Sequence, residues 1–433
     1  MKSVALHNLG CKVNGYEIDA MQQMLQEKGY KIVSFDEEAD IYIVNTCTVT
    51  NIADRKSRQM LHKAKKRNPK AIVVAVGCYV QTGREDVLKD SGVDLAIGNN
   101  KKKELTEILE RFLDGKETGE TVINIGETEE FEEMCLKENS GHTRAYIKIQ
   151  DGCNQFCSYC IIPYARGRVR SRKEEDILNE IGKLAVGGCK EVVLTGIHIS
   201  SYGTDRGGRA LAPLIQAIHA IDGIERIRLG SLEPGIVTEE FAEELGKLKK
   251  LCPHFHLSLQ SGCDATLKRM NRRYTTREYF EKVDILRRVF GSPAITTDVI
   301  VGFPGETEEE FAETKAFLEK VKLYEMHIFK YSRREGTRAA GMDRQVADET
   351  KTERSSILLA MGKKHSMEFR ESFFGRKLEV LFEEEKDIAG ELFQVGHTKE
   401  YVKVAKKSEK SLSNEIFAGK IIGFLSDDIM LFE

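Results

Sequence analysis

The chain has 433 residues, room for about three domains at ~150 residues each. Its 41% hydrophobic and 31% charged content is that of an ordinary globular protein, and no run of ~18 apolar residues offers a membrane span. A net charge of −3 excludes a generally basic nucleic-acid coat, so any RNA binding must come from local patches.

The N-terminus, Met1-Lys2-Ser3-Val4-Ala5-Leu6-His7-Asn8, lacks the apolar stretch of a signal peptide, which points to the cytoplasm. A strand is expected at Val4–Leu9 and a helix at Tyr16–Lys28, with Ile18, Met21 and Leu25 at helical spacing. A buried strand Ile41–Thr46 precedes a Lys- and Arg-rich helix, Asn51–Arg67. Ala71–Val76 is a third strand and Lys103–Leu113 a further helix. This alternation predicts a doubly wound parallel sheet over residues 1–113. Residues 114–138 carry the acidic run Glu127, Glu129, Glu130, Glu132 and Glu133 with little periodicity. They predict a solvated linker with an edge strand at Thr121–Ile125.

Strand–helix units repeat six times over residues 139–369. The strands fall at Ala145–Gln150, Glu191–Thr195, Arg226–Leu229, His254–Leu259, Ile295–Val301 and Glu325–Tyr331. Six units predict a partial (β/α)6 barrel rather than a closed eightfold one. Over residues 370–433 the period changes to two, with Leu378, Val380 and Phe382 facing one way, and short strands predict a small β-barrel. The fold class is therefore α/β with a β tail.

Ten cysteines need a reason in a reducing compartment, where metal ligation or catalysis outranks disulfides. Cys153, Cys157 and Cys160 form a C-x3-C-x2-C run just after the first barrel strand. Three thiolates in eight residues can wrap an iron–sulfur cubane and leave one iron open. A structural zinc loop is the alternative, but a fourth Cys or His does not follow promptly. Cys11, Cys47 and Cys78 each follow a strand of the first sheet, and in a parallel sheet such loops gather at one edge. They form a second candidate trio, with three unrelated buried cysteines as the alternative. Cys135, Cys189, Cys252 and Cys263 show no grouping.

The Cys153 triplet, with Tyr159 before its last cysteine and a partial barrel behind it, resembles the radical S-adenosylmethionine enzymes. The stretches Leu9-Gly10-Cys11-Lys12-Val13-Asn14-Gly15-Tyr16-Glu17, Asn45-Thr46-Cys47-Thr48-Val49-Thr50 and Val76-Gly77-Cys78-Tyr79 resemble that family's methylthiotransferase branch, most closely the bacterial enzymes acting on tRNA threonylcarbamoyladenosine. The resemblance covers essentially the whole chain. It implies an N-terminal domain with an auxiliary [4Fe–4S] cluster on Cys11, Cys47 and Cys78. It also implies a radical core with a second cluster on Cys153, Cys157 and Cys160, and an RNA-binding tail of the TRAM type. S-adenosylmethionine would be radical source and methyl donor, held by Tyr159, Thr195, Gly196, Ser231, Gln260, Asp298 and Gly302, positions that ordinary strand-to-helix turns would also explain.

The implied reaction adds a methylthio group to C2 of N6-threonylcarbamoyladenosine at position 37, beside the anticodon. Arg166, Arg168, Arg170 and Arg172 are the first candidates for gripping tRNA phosphates or the threonyl carboxylate. Arg55, Lys56, Arg58, Lys63, Lys65, Lys66 and Arg67 on the early helix, and Lys403, Lys406, Lys407 and Lys410 in the tail, are others. Acidic residues outnumber Lys and Arg in the tail, which weakens a simple electrostatic grip there. An electron-donor protein of flavodoxin or ferredoxin type is expected, the sulfur donor is not named by the sequence, and the chain is expected to be a monomer. Rival readings are methylthiolation of isopentenyladenosine or of a ribosomal protein side chain, and a non-catalytic iron–sulfur RNA-binding protein.

Overall fold

The structure is a computed structural model that describes residues 2–137 and 143–433. The first unit runs β1 (Ser3–Asn8), α1 (Lys12–Glu27), β2 (Lys31–Val33), β3 (Ile41–Thr46), α2 (Asn51–Arg67), β4 (Ile72–Gly77), α3 (Cys78–Lys89), β5 (Leu95–Ile97) and α4 (Leu105–Leu113). Its five strands form one parallel sheet in the order β2-β1-β3-β4-β5. Strand β3 is buried along its whole length, as an apolar run must be when helices cover both faces of a parallel sheet.

The second unit runs β6 (Arg144–Asp151), α5 (Ile162–Arg166), β7 (Arg170–Ser171), α6 (Glu174–Val186), β8 (Glu191–Gly196), α7 (Leu211–His219), β9 (Arg226–Leu229) and α8 (Glu239–Gly246). It continues with β10 (His254–His256), α9 (Asp264–Arg269), α10 (Thr276–Phe290), β11 (Ala294–Val301), α11 (Glu308–Val321), β12 (Glu325–Lys330) and α12 (Asp348–Glu371). Strands β6, β8 and β9 are parallel neighbours, as are β10, β11 and β12. Parallel bridges Ile227↔Leu251 and Leu232↔Leu257 join the two groups into a six-strand arc. Alternate residues decide its character. Ala145, Ile147 and Ile149 pack outward with Ile177, Ile181 and Leu214. Arg144, Tyr146, Lys148 and Gln150 therefore face the inside, which is polar.

The tail is a closed barrel in the order β13-β14-β15-β17-β16. Its strands are β13 (Lys377–Ile388), β14 (Glu391–Thr398), β15 (Lys403–Lys407), β16 (Ile416–Phe424) and β17 (Met430–Phe432). Val380 and Phe382 are buried in its core with Leu378 against them, the face that their alternation indicates. Ala389 and Gly390, both at positive φ, make the tight turn between β13 and β14.

Three expectations need correction. Helix α1 begins at Lys12 rather than Tyr16, because Cys11 takes the extended N-cap position. Thr121–Ile125 is not a strand: Gly98 N donates to Thr121 O at 2.8 Å and the Gln81 side chain to Ile123 O at 2.8 Å, without a ladder. The linker is also no free connector. Val122, Ile125, Met134 and Leu136 are buried, and Glu132 accepts from the amides of Asn100 and Lys103 at 3.1 and 3.0 Å. The segment is a strap nailed down by apolar residues set between its acidic ones. The expected junction at residues 138–139 lies outside the described residues. Helix α12, 24 residues long, was not anticipated; it runs from the last barrel strand towards the tail.

Candidate functional site

The loops after β1, β3 and β4 bring Cys11, Cys47 and Cys78 together at one edge of the first sheet. A Cβ on Gly10 would lie 3.0 Å from Cys47 Sγ, so residue 10, at φ +109, has to be glycine for the first loop to approach the second. The thiols are near enough that Cys78 opposes ionisation of Cys11, and Cys78 and Cys11 that of Cys47. Burial pushes the Cys47 thiol up to about 11 and raises that of Cys11. In the barrel unit, Cys153, Cys157 and Cys160 wind through the loop after β6. Cys160 N donates to Cys157 O at 2.9 Å, and Asn271 Nδ2 holds Phe156 O at 3.0 Å, with Phe156 in the left-handed region. Burial raises Cys153 to about 11 and Cys160 to about 12. None of the six is in a disulfide.

Each trio has one arginine hydrogen-bonded to a sulfur. Arg166 Nε donates to Cys78 Sγ at 3.2 Å, and Arg272 Nη1 donates to Cys157 Sγ at 3.3 Å. Arg166 belongs to a buried network. Glu17 receives Arg166 at 2.7 Å, Lys148 at 2.8 Å and Lys102 at 2.9 Å. Asp151 receives Lys148 at 2.6 Å, Arg166 at 3.2 Å and Arg170 at 3.9 Å. Burial works against the Glu17 charge, but Arg166, Lys102 and Lys148 overrule it and hold its carboxyl well below the usual range. Four cations thus face two carboxylates. The surplus positive charge lies against Cys78, where metal-bound thiolates would bring negative charge, so the residues fit an anionic cluster.

The two trios are also mechanically joined. Helix α5 starts two residues after Cys160 and ends on Arg166, about 6 Å further along at 1.5 Å per residue. Asn99 Nδ2 donates both to Ala165 O at 2.7 Å and to Cys78 Sγ at 3.5 Å. A second tie is Arg334, after β12, which reaches Thr48 at 2.8 Å in the loop after Cys47, and Asn51 at 2.7 Å and Asp54 at 2.5 Å in the first turn of α2.

These contacts overturn the RNA-gripping role for Arg166, Arg170 and Arg172. All three are buried; Arg170 donates to the carbonyls of Arg166 and Arg168, and Arg172 pairs with Glu180 and Glu133. The end of α5, strand β7 and the residue after it lie too deep to present these arginines to solvent. Arg168 alone of the four is exposed, stacked 4.7 Å from the ring centroid of Phe156. On α2, Arg55, Lys56 and Lys66 are exposed, whereas Lys63 and Arg67 pair with Asp36 and Lys65 with Asp94.

The expected cofactor contacts divide. Thr195 and Gly196 end β8 beside Gln150, whose carbonyl would lie 2.9 Å from a Cβ at 196. Ser231 is exposed after β9, and Gln260, at φ +73, donates its amide to Asp298 O at 2.9 Å. Tyr159 packs edge-on to Phe303. Asp298 lies between His256, at 3.4 Å, and His327, at 3.2 Å, whose rings stack at 5.6 Å. At Gly302 a Cβ would meet Lys351 Cγ at 2.3 Å, and Glu306 accepts from its amide at 2.9 Å. The absence of a side chain there also lets Lys351 of helix α12 pack close. Arg272 and Glu233 escaped the sequence reading, since no spacing links them to the thiols; Lys148 and Asp151, just before Cys153, and Glu17, in the quoted Cys11 stretch, stood there without a role.

Two family models match in the same order as these units. The model of the radical SAM superfamily covers residues 147–318, and that of the uncharacterized protein family UPF0004 covers residues 3–98. The threonylcarbamoyladenosine tRNA methylthiotransferase MtaB of Bacillus subtilis is 39% identical over 98% of this chain and 94% of its own. The chain belongs to the radical S-adenosylmethionine methylthiotransferases. The Aquifex aeolicus enzyme of the same name is 43% identical over 90% of this chain and 94% of its own. The tRNA-2-methylthio-N(6)-dimethylallyladenosine synthase of Pelotomaculum thermopropionicum is 35% identical over 98% and 96%. Among solved structures, the radical S-adenosylmethionine methyltransferase TsrM of Kitasatospora setae matches with a TM-score of 0.57 at 16% identity, covering 76% of this chain and 75% of that one, a likeness of fold alone. In this methylthiotransferase, no helix among the described residues is long and apolar enough to cross a membrane.

Proposed function

We propose that the protein is a tRNA methylthiotransferase that converts N6-threonylcarbamoyladenosine beside the anticodon into its 2-methylthio form. The carrying observation is the pair of three-thiol sets, joined through α5 and each steadied by one arginine. Two sets at the mouths of adjoining sheets suit a reaction with two tasks on one base.

The C2–H bond of adenine offers no acid–base route, so hydrogen removal calls for a radical. With S-adenosylmethionine, a cluster on Cys153, Cys157 and Cys160 would supply that radical, and a cluster on Cys11, Cys47 and Cys78 would hold the sulfur. The chain's own residues do the rest. Arg272, paired with Glu233 at 3.9 Å, keeps positive charge at the first trio. Arg166 does the same at the second. The Arg334 ties hold the Cys47 loop against the barrel rim, which fixes one trio relative to the other. Exposed Val49 and Ile52 after Cys47, and Tyr164 on α5, offer apolar surface for an unstacked base. Arg55, Lys56 and Arg168 are the phosphate contacts that the exposed surface favours, and the tail barrel adds an RNA-facing module of the TRAM type. A flavodoxin- or ferredoxin-type protein delivers the electron, and the chain acts as a monomer.

Mass spectrometry of tRNA nucleosides from cells with and without the protein tests this. Loss of 2-methylthio-N6-threonylcarbamoyladenosine, with its unmethylthiolated parent accumulating, is expected. Loss of the dimethylallyl nucleoside instead would move the substrate to that of the second group of relatives, and unchanged methylthio-nucleosides would refute the tRNA reading.

A further inference from the structure

Threonylcarbamoyladenosine carries a carboxylate that dimethylallyladenosine lacks, and relatives acting on the latter are 35% identical over nearly the whole chain. One scaffold therefore serves both substituents, and the difference rests on side chains among the many that differ. A buried carboxylate needs a cation that is not already neutralised. Arg166, Arg170 and Arg172 are committed to internal partners.

Inside the barrel lies a cavity of only about 10 Å³, room for one water, whose polar lining is Lys12, Arg144, Arg228, His254, Tyr146 and Tyr401, with no carboxylate among the described lining residues; a larger group meets this cluster from the exposed side of Lys12. The two arginines are tied from behind. Glu191 receives Arg144 at 2.8 Å and Arg228 at 2.9 Å, Arg144 also pairs with Glu383, and Arg228 donates to the carbonyls of Thr398 and Lys399 at 2.8 Å each. Tyr401 of the tail barrel stacks against both, 5.2 and 4.7 Å from its ring centroid, and so closes the cavity floor. Lys12 differs. It is exposed, its ammonium has no hydrogen-bond or ion-pair partner within the described residues, and it is the first residue of α1, directly after Cys11. With adenine C2 brought to the Cys11 trio to receive sulfur, C6 lies two bonds away across N1, so a flexible N6 substituent is within reach of the side chain that follows Cys11.

We propose that Lys12 is the specificity residue that receives the threonyl carboxylate of the substrate. The claim rests on the substrate assignment above and narrows it to one side chain. Arg144 and Arg228 supply a positive background, and Lys12 supplies the free donors. An apolar N6 substituent would gain nothing from this ammonium and would have to desolvate it, so the same residue also disfavours dimethylallyladenosine.

The test uses reconstituted holoenzyme and two anticodon stem-loop RNAs, one with threonylcarbamoyladenosine and one with its neutral threoninamide analogue. Binding is read by fluorescence anisotropy and turnover by methylthio product. The wild type is expected to favour the acid by about tenfold to a hundredfold in Kd, the range of a charge-assisted hydrogen bond. Lys12→Met should abolish that preference by weakening the acid alone, and Lys12→Arg should restore most of it. Iron content checks that the variants keep their clusters; if Lys12→Met loses iron, Lys12→Gln carries the same comparison. A variant without the charge that still prefers the acid as strongly as wild type overturns the proposal, as does a wild type indifferent to the two RNAs. A wild type that methylthiolates neither RNA refutes the substrate assignment itself.

Discussion

Arg166 Nε lies 3.2 Å from Cys78 Sγ, while the other end of the same guanidinium grips Glu17 and Asp151. The residue that terminates the helix after the barrel triplet is thus the residue that addresses the auxiliary triplet. Removing it strands two buried carboxylates beside fewer cations. Arg166→Met is expected to destabilise the protein by about 3–5 kcal/mol, the cost of breaking one side of a buried pair, read by chemical denaturation of the cluster-free protein. Arg166→Lys keeps the charge but not the fork. It should retain most of that stability while shifting the reduction potential of one cluster only.

Gly10 tests the convergence of the first trio separately. At φ +109, with Cys47 Cβ 2.9 Å from where its own Cβ would be, Gly10→Ala has to move the Cys47 loop. Reconstituted Gly10→Ala protein should lose close to half its iron, whereas wild type should approach about eight irons for two cubanes. Full iron in the variant would show that the three loops are not packed around a common centre.

Asp298 and His327 give a pH prediction. Hydrogen bonding to Asp298 is the largest influence on His327 and raises its pKa above 6.5, against the effect of burial. Burial works against the Asp298 charge, but His256 and His327 hold its carboxyl below the usual range. The His327 contribution to stability is complete below pH 6.5 and is lost as pH rises through its elevated pKa. The Asp298 contribution is complete above about pH 4 and is lost on acidification. NMR titration of the imidazole should place His327 above 6.5 in wild type and move it down in Asp298→Asn. An unmoved value would mean that the pair does not persist in solution.

Much of the architecture was legible because it is carried by periodicity. All six barrel strands fall where the apolar runs of the central segment put them, and the Val380–Phe382 alternation marks the tail's inner face. Both cysteine trios were visible from their position after strands. The roles of the arginines were not. Arg166, Arg168, Arg170 and Arg172 look alike as a basic run, but whether a cation faces water or a buried carboxylate depends on partners such as Glu17 and Asp151, which are remote in the chain or on another strand. The linker misled for a related reason: its acidic residues suggested solvent, while Met134 and Leu136 among them hold it to the core.

The most direct measurement of the central claim, that two separate thiol trios divide one reaction, is a single-turnover assay on substrate tRNA with wild type, Cys47→Ala and Cys157→Ala proteins, each anaerobically reconstituted. Wild type should yield 5′-deoxyadenosine and methylthiolated tRNA. Cys47→Ala should yield 5′-deoxyadenosine without methylthiolation, and Cys157→Ala should yield neither. Methylthiolated tRNA from the Cys47→Ala protein at the wild-type level would contradict the account.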